Sequence, residues 1–290
     1  MSEPEFLAPA RLSEAAQILA EHGTDARVLG GGTALLPLMR RRIATPRVLL
    51  GLHRIPGIAE VNHHFSGLRI GARATLRTLE TASAVGGLIP GLGDALARIG
   101  VVRIRNQATV GGTLACGDPR LDLPALLAVL DADLRLVSTR GERTIGFGDL
   151  YAGDGATAVR PDELIVDVHV PFQPAGSTLV HLKYLPGTEG GYPTVGVAVR
   201  LGLDEAGERI ADARLALVGA GPATVVAPAA QDALLGARPT GEVFAEAAAA
   251  VRDEIAPETD SLGTAEYKRA MAEVFTRRAL TEALARVRAT

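Results

Sequence analysis

Tryptophan is absent from the 290 residues and aromatic side chains make up only 3% of them, which removes the stacking platforms that hold single-stranded nucleic acid. There is one cysteine, Cys116, so the chain can build neither a disulfide framework nor a cysteine-ligated zinc or iron–sulfur site by itself. No charge sign dominates: 30 Lys+Arg stand against 33 Asp+Glu, a formal net charge of −3, and no overall field draws in nucleic acid. No apolar run reaches the ~18 residues of a membrane span, and MSEPEFLAPARLSEAAQ lacks the basic-then-apolar layout of a secretory signal. These absences point to a reducing, cytoplasmic setting, with membrane association through partners left open. G-x-x-x-x-G-K-[ST] and H-E-x-x-H are missing too, so a P-loop is unsupported and His63-His64, without a third ligand, reads as solvated loop.

What is present is ordinary globular material, 47% hydrophobic and 22% charged, long enough for two or three packed units. Leu12, Ala16, Leu19 and Ala20 predict an opening helix with Ser13 as cap and Gly23 as stop. ARVL, LLPLMRRR and Val48-Leu49-Leu50 then read as strand, helix and strand, a small unit ending near Ile55. A second unit carries strands at residues 68–71, DLRLVS and ELIVDVHVPF, and helices at residues 76–82, DALARIG and LPALLAVL. Without a clean βαβ repeat, it reads as α+β with an antiparallel component. After FQPAGS, TVGVAVRLGL and RIADARLALVG flank DEAGE as a hairpin. Helices follow, the last with Met271, Val274, Phe275, Leu284 and Val287 as its apolar stripe.

Two glycine clusters ask for a reason, because each glycine costs folding entropy relative to alanine. In LGGGTALLPLMRRR, Gly30, Gly31 and Gly32 precede a helix, where bare backbone N–H groups and the helix dipole form an anion site; a plain turn is the bland reading. In RNQATVGGTLACGDPRLDLPA, Thr109, Gly111, Gly112 and Thr113 supply hydroxyls and bare backbone, and Asp118 and Asp122 follow. Asp122 reads as a helix N-cap or as a functional carboxylate. Cys116 reads as a small buried residue without an evident base, Lys183 in LVHLKYL as a wet strand face unless a buried anion needs it, and Gly153-Asp154-Gly155 as a loop. Arg40, Arg41 and Arg42 read as a solvated helix end or, with the Gly/Pro-rich stretch 187–192, as a partner-facing surface.

Taken in order, VLGGGTALLPLMRRR, RIRNQATVGGTLACGDPRLDLPALLAVLDADLRL, KYLPGTEGGYPTVGVAV and DSLGTAEYKRAMAEVFTRRAL resemble, essentially end to end, the FAD-binding medium subunit of the molybdenum hydroxylases, the xanthine dehydrogenase and aerobic carbon monoxide dehydrogenase family. The resemblance implies an α+β fold: an FAD-binding domain of vanillyl-alcohol-oxidase/PCMH type in two subdomains, residues 1–55 and 56–174, then a C-terminal domain of a small antiparallel sheet plus helices, residues 175–290. It implies non-covalent FAD, held at the pyrophosphate by Val28, Leu29, Gly30, Gly31, Gly32, Thr33, Ala34 and Leu35. From the second subdomain it implies contacts by Ile99, Gly100, Ile104, Ala108, Thr109, Gly111, Gly112, Thr113, Ala115, Cys116, Asp118 and Leu121. At the flavin ring it places Asp122 as acceptor for N3–H, Ile99 and Ile165 as apolar contacts, and Lys183 as a cation. The sequence departs from the family pattern at Gly30, Ala34, Thr113 and Gly190-Gly191.

The implied function is an electron-transfer subunit of a multi-subunit oxidoreductase. A small [2Fe-2S] subunit would deliver electrons from a large molybdenum-cofactor subunit, in a dimer of heterotrimers, and no catalytic acid or base is expected in this chain. A stand-alone flavin oxidase or reductase of the same fold, and an assembly protein that has lost its cofactor, are the rival readings. A cysteine-ligated cluster within this subunit is disfavoured by the lone Cys116.

Overall fold

The structure, a computed structural model, describes residues 3–151, 156–187 and 190–289. Gly153, Asp154 and Gly155 lie outside the described residues, as do positions 188 and 189 of the glycine-rich stretch before Tyr192.

Three sheets organise the described residues. In the first, β1 (Glu5–Leu7) and β2 (Ala26–Leu29) flank β3 (Val48–Gly51) in parallel. Helix α1 (Leu12–His22) turns Ala15, Ala16 and Leu19 inward, and it ends where Gly23 takes φ 49°, the conformation that a missing Cβ permits. Its N-cap is Arg11, with no side-chain cap bond, so Ser13 lies inside the first turn and not at its boundary. Helix α2 (Leu35–Arg40) follows the triple glycine.

The second sheet is antiparallel throughout, in the order β4 (Val61–His64), β5 (Gly67–Gly71), β8 (Leu164–Pro171), β6 (Asp133–Ser138), β7 (Gly141–Gly146). His63 and His64 thus belong to a strand and not to a loop. Between β5 and β6 run six helices: α3 (Leu76–Thr81), α4 (Ser83–Leu88), α5 (Leu92–Ala97), α6 (Val102–Arg105), α7 (Val110–Cys116) and α8 (Asp122–Val129). Helix α8 is apolar nearly all round, as a helix enclosed on every side must be. Asp122, Leu123, Pro124, Ala125, Leu126, Leu127 and Val129 are all buried.

The third sheet has the order β12 (Val225–Val226), β11 (Ile210–Val218), β10 (Val195–Leu203), β9 (Thr178–Tyr184), and it is backed by α9 (Pro228–Leu234), α10 (Gly241–Glu254) and α11 (Ala265–Val287). Its β10 and β11 pack against α8, which makes that helix the seam between the second and third sheets. Arg200 locks the seam: its guanidinium, 3% exposed at the residue level, donates to both oxygens of Asp212, to Gln173 and to Asp131, which lies just after α8. With four of its five N–H donors answered, two of them by the Asp212 carboxylate, the buried charge is tolerated. Along α11 the buried residues are Lys268, Ala272, Thr276, Ala279, Leu280 and Ala283, whereas Met271, Val274, Phe275, Leu284 and Val287 are only half-buried. Four of the six buried side chains are small, three alanines and a threonine, which lets a 23-residue helix lie close against β10, and Phe275 and Leu284 pack against the core from its flank.

Candidate functional site

The turn between β2 and α2 is the first component. Leu36 N–H donates to the Gly32 carbonyl at 3.0 Å, but the N–H groups of Gly31, Gly32, Thr33 and Ala34 find no acceptor among the described residues. Gly32 sits at φ +72°, and this left-handed step, with α2 beginning behind it, leaves four successive donors free, the backbone concavity that takes anions. Val28 and Leu29 end β2 and Leu35 begins α2.

The second glycine run packs directly on the first. A Cβ added to Gly30 would come within 2.5 Å of Thr109 Oγ1, and one added to Gly31 would overlap the Gln107 carbonyl. Just beyond the end of β5, Gly111 leaves no room for a Cβ, which would meet that of Ala72 at 2.7 Å. The glycines of both runs therefore serve chain-to-chain approach as well as any ligand. The N–H groups of the second run are engaged: Val110 and Gly111 donate to the carbonyls of Ala74 and Ala72, Gly112 to Thr109 Oγ1, and Thr113 to the Thr109 carbonyl. Free anion donors lie on the first run, while Thr109 caps α7. Ala108 is buried beside it, Ala115 and Cys116 are exposed on α7, and Cys116 is thus not the buried residue expected.

Where the runs meet lies a cavity of about 290 Å³, lined by Gly30, Gly31, Ala59, Arg73, Thr75, Thr78, Asn106, Gln107 and Thr109. Arg73 is the cation of this lining, half-buried, and its guanidinium has no hydrogen bond or ion pair among the described residues. Sequence reasoning missed Arg73 and Gln107; nothing in GARAT or RNQAT marks them before the loops are brought together.

A second centre forms at the start of α8. Asp122 is the helix's first residue, behind an N-cap at Leu121 that makes no side-chain bond, so its carboxylate does not cap the helix. It points instead at β9: Lys183 Nζ donates to Oδ2 at 3.1 Å, and both side chains are nearly enclosed, 7% and 6% exposed. Lys183 is thus on a buried face and not a wet one. His181, two residues earlier on the same strand face, brings Nε2 to 3.4 Å from Asp122 Oδ1. Oδ1 and both ring nitrogens of His181 are buried without a hydrogen-bond partner. Burial pushes the imidazole pKa down; Asp122 opposes that shift, and Lys183 and Arg98 reinforce it. His181 was not anticipated from sequence, although its two-residue spacing from Lys183 is the alternation that places both on one face.

Ile99 and Ile165 are buried, Ile165 within β8 opposite Leu136, while Ile104 is exposed on α6. Arg105 anchors this corner through Glu80 and the carbonyls of Ile99 and Gly100. Beside the second run, Asp118 takes a two-point contact from Arg120, at 2.9 and 2.7 Å. Burial raises the Asp118 pKa but the Arg120 bonds outweigh it, and the net shift is downward. The Arg120 guanidinium lies 4.2 Å over the Tyr192 ring. No cluster of three or more His, Cys, Asp or Glu side chains suited to a metal ion occurs among the described residues, and none of their helices is long and apolar enough to cross a membrane.

Four free backbone donors beside a polar cavity, with a carboxylate–lysine pair at a buried helix start, suit a phosphate-bearing ligand in a protein of mixed helix and sheet. Comparison with known proteins is specific. Residues 2–173 match the family described as FAD binding domain in molybdopterin dehydrogenase, and residues 181–283 the CO dehydrogenase flavoprotein C-terminal domain. The chain is 33% identical to the carbon monoxide dehydrogenase medium chain of Hydrogenophaga pseudoflava, over 97% of each chain, and 32% identical to the nicotine 6-hydroxylase medium subunit of Paenarthrobacter nicotinovorans, again over 97% of each. Its fold superimposes on carbon monoxide dehydrogenase from Hydrogenophaga pseudoflava with a TM-score of 0.94 at 34% identity, covering 98% of both chains. Quinoline 2-oxidoreductase from Pseudomonas putida 86 gives 0.92 at 29%, covering 99% of this chain and 98% of that one. The chain belongs to the FAD-binding medium subunits of the molybdenum hydroxylases, and is an oxidoreductase subunit.

FAD suits the residues present. The pyrophosphate is a dianion that needs donors, and four unengaged N–H groups lie in one turn beside an unpaired arginine. The flavin N3–H needs an acceptor, and Asp122 Oδ1 is a buried acceptor without a partner.

Proposed function

We propose that this chain is the electron-transfer flavoprotein subunit of a molybdenum-containing dehydrogenase, collecting electrons from a [2Fe-2S] partner and passing them to an external acceptor. The observation that carries this reading is the run of four free backbone donors at residues 31–34, packed against the second glycine run. Bound FAD would supply a carrier that can take up and release electrons. The protein's part is to bind it and set its environment.

The N–H groups of Gly31, Gly32, Thr33 and Ala34 would hold the pyrophosphate, with Gln107 and Thr109 lining the opposite wall. Arg73 adds the positive charge that neutral backbone donors lack. Asp122, whose Oδ1 has no hydrogen-bond partner, would accept from the flavin N3–H. Lys183 pairs with Asp122 and would offset negative charge on the N1 and C2=O side of a bound flavin. Ile99 and Ile165 exclude water from this end. Substrate oxidation belongs to a molybdenum-cofactor partner, so no acid or base of this chain needs to reach the organic substrate.

The visible spectrum of the purified chain, before and after adding FAD, tests the reading. A flavin spectrum whose colour is released by acid precipitation, together with co-purification of iron–sulfur and molybdenum subunits with the tagged chain, is the expected result. A folded, colourless protein that cannot be reconstituted would overturn it, and turnover of substrate by the isolated flavoprotein would shift the assignment to a stand-alone oxidase or reductase.

A further inference from the structure

His181 has no role in the binding scheme above, yet it occupies an unusual place. Its side chain is fully enclosed at 0% exposure, it stands on the β9 face that also carries Lys183, and it meets Oδ1 of the α8 carboxylate while the lysine meets Oδ2. The room for this contact is made by the neighbouring strand. Gly196 on β10 is registered with Lys183, and a Cβ there would lie 3.4 Å from His181 Nε2 and 3.6 Å from Asp122 Oδ1, while striking Val218 Cγ2 at 2.7 Å. Around the imidazole the charged groups are Asp122 on α8, Lys183 on its own strand, and Arg98 after α5, whose guanidinium donates to the His181 carbonyl at 3.4 Å.

A buried imidazole in such a site is neutral and carries one N–H. Of its two nitrogens, Nε2 faces the carboxylate oxygen, so the proton belongs on Nε2, where it meets an acceptor; on Nδ1 it would leave two lone pairs opposed. At 3.4 Å the contact is too long for a full hydrogen bond. Three buried polar atoms therefore remain unanswered at one spot, Asp122 Oδ1 and the two ring nitrogens, the arrangement that native structures reserve for a ligand or a functional constraint.

We propose that His181 is a positioning residue of the flavin site: as a neutral Nε2–H donor it holds one lone pair of Asp122 Oδ1 while Lys183 holds Oδ2, so that the carboxylate presents a fixed charge, and the second lone pair of Oδ1, to the flavin N3–H. The proposal rests on Asp122 being the flavin acceptor. Without the donor, the carboxylate becomes the stronger base and opposes added negative charge on the ring, which favours the oxidised cofactor.

The test compares His181→Phe, which keeps a planar ring without a donor, and His181→Gln, which keeps an N–H donor, with the wild-type full chain reconstituted with FAD. Spectroelectrochemistry reads the flavin potential, a fluorescence titration reads FAD affinity, and 15N NMR reads the imidazole. For His181→Phe the oxidised-to-reduced ratio at fixed potential should rise about tenfold, the size of one hydrogen bond to a charged group, a shift of about −30 mV for a two-electron couple. His181→Gln should stay within about threefold of wild type on the same scale. In the wild-type chain, with or without FAD, the imidazole should be the neutral Nε2–H form at pH 7, and its nitrogen resonances should move in Asp122→Asn. A wild-type potential in His181→Phe, equal shifts in both variants, an Nδ1–H or charged imidazole, or resonances indifferent to Asp122→Asn would each overturn the proposal. Should His181→Phe fail to fold, His181→Gln and the NMR measurements decide. A wild-type chain that binds no FAD would sink the proposed function instead, and the NMR result would still report on the His181–Asp122 contact.

Discussion

Replacing Gly31 with alanine should separate two loops that only glycine allows to touch. The added Cβ would fall on the Gln107 carbonyl oxygen, at less than half an ordinary carbon–oxygen contact, and 3.0 Å from the Ala108 nitrogen. These are backbone atoms, and no rotamer change relieves them. Restoring a contact of ~3.3 Å requires the loops to part by about 1.7 Å. A displacement of that size moves the N–H groups of residues 31–34 out of range for part of the pyrophosphate. Loss of two charge-assisted bonds at about 1.5 kcal/mol each predicts an FAD dissociation constant weakened by about 100-fold. Overpacking should cost the apo chain about 1–3 kcal/mol, a fall in Tm of roughly 2–4 °C per kcal/mol. The assay is flavin fluorescence quenching on titration with FAD, alongside thermal unfolding of the apo protein. Gly86→Ala is the control: it lies in α4 with no atom within 4 Å of an added Cβ, so it should leave affinity unchanged and stabilise by about 0.5–1 kcal/mol. Affinity within threefold of wild type in Gly31→Ala would refute the reasoning, because the donors would then not depend on that loop contact.

Two further outcomes follow from single side chains. Arg73→Gln should weaken FAD by about 10- to 100-fold through loss of one charge-assisted contact and leave riboflavin, which has no phosphate, unchanged; equal effects on both ligands would remove Arg73 from the anion site. His181 has a folded-state pKa below its ordinary value of 6.5, so between that folded value and about 6.5 the unfolded chain binds more protons than the folded one. Its contribution is therefore complete above about pH 6.5 and lost as pH falls toward the folded pKa, at about 1.4 kcal/mol per pH unit. Denaturant titrations of the apo chain at pH 7 and 5.5 should show this loss in wild type and a shallower one in His181→Gln; identical losses would count against a buried neutral imidazole.

Much of the local architecture was legible. ARVL, residues 68–71, DLRLVS and the TVGVAVRLGL–RIADARLALVG hairpin carry strand composition and turn residues of their own, and they form β2, β5, β6, β10 and β11. The failures were matters of environment. Of the expected stripe on α11, Phe275 and Leu284 pack against the core while half-buried, but the fully buried face is taken by Lys268, Ala272, Thr276, Ala279, Leu280 and Ala283. Asp122 resembles a cap because acidic residues favour helix starts, yet its carboxylate is drawn to Lys183 on a strand 61 residues away. Lys183 looks solvent-facing for want of any local sign of that partner.

By itself the sequence determined where bare backbone would be found, in GGGT and TVGG, which segments alternate and which wind, and, through the order of its motifs, the family to which the chain belongs. Those properties depend on neighbours along the chain. Only the tertiary structure decided that Gly31 would rest on the Gln107 carbonyl, that Arg73 would line the cavity between the two runs, and that His181 and Lys183 would enclose Asp122 from either side. Gly31 and Gln107 lie 76 positions apart, Arg73 and Gln107 lie 34 apart, and Asp122 lies 59 and 61 positions from His181 and Lys183; the forces involved, steric exclusion and short-range electrostatics in a dry interior, act over a few ångströms of space and leave no periodicity in the sequence.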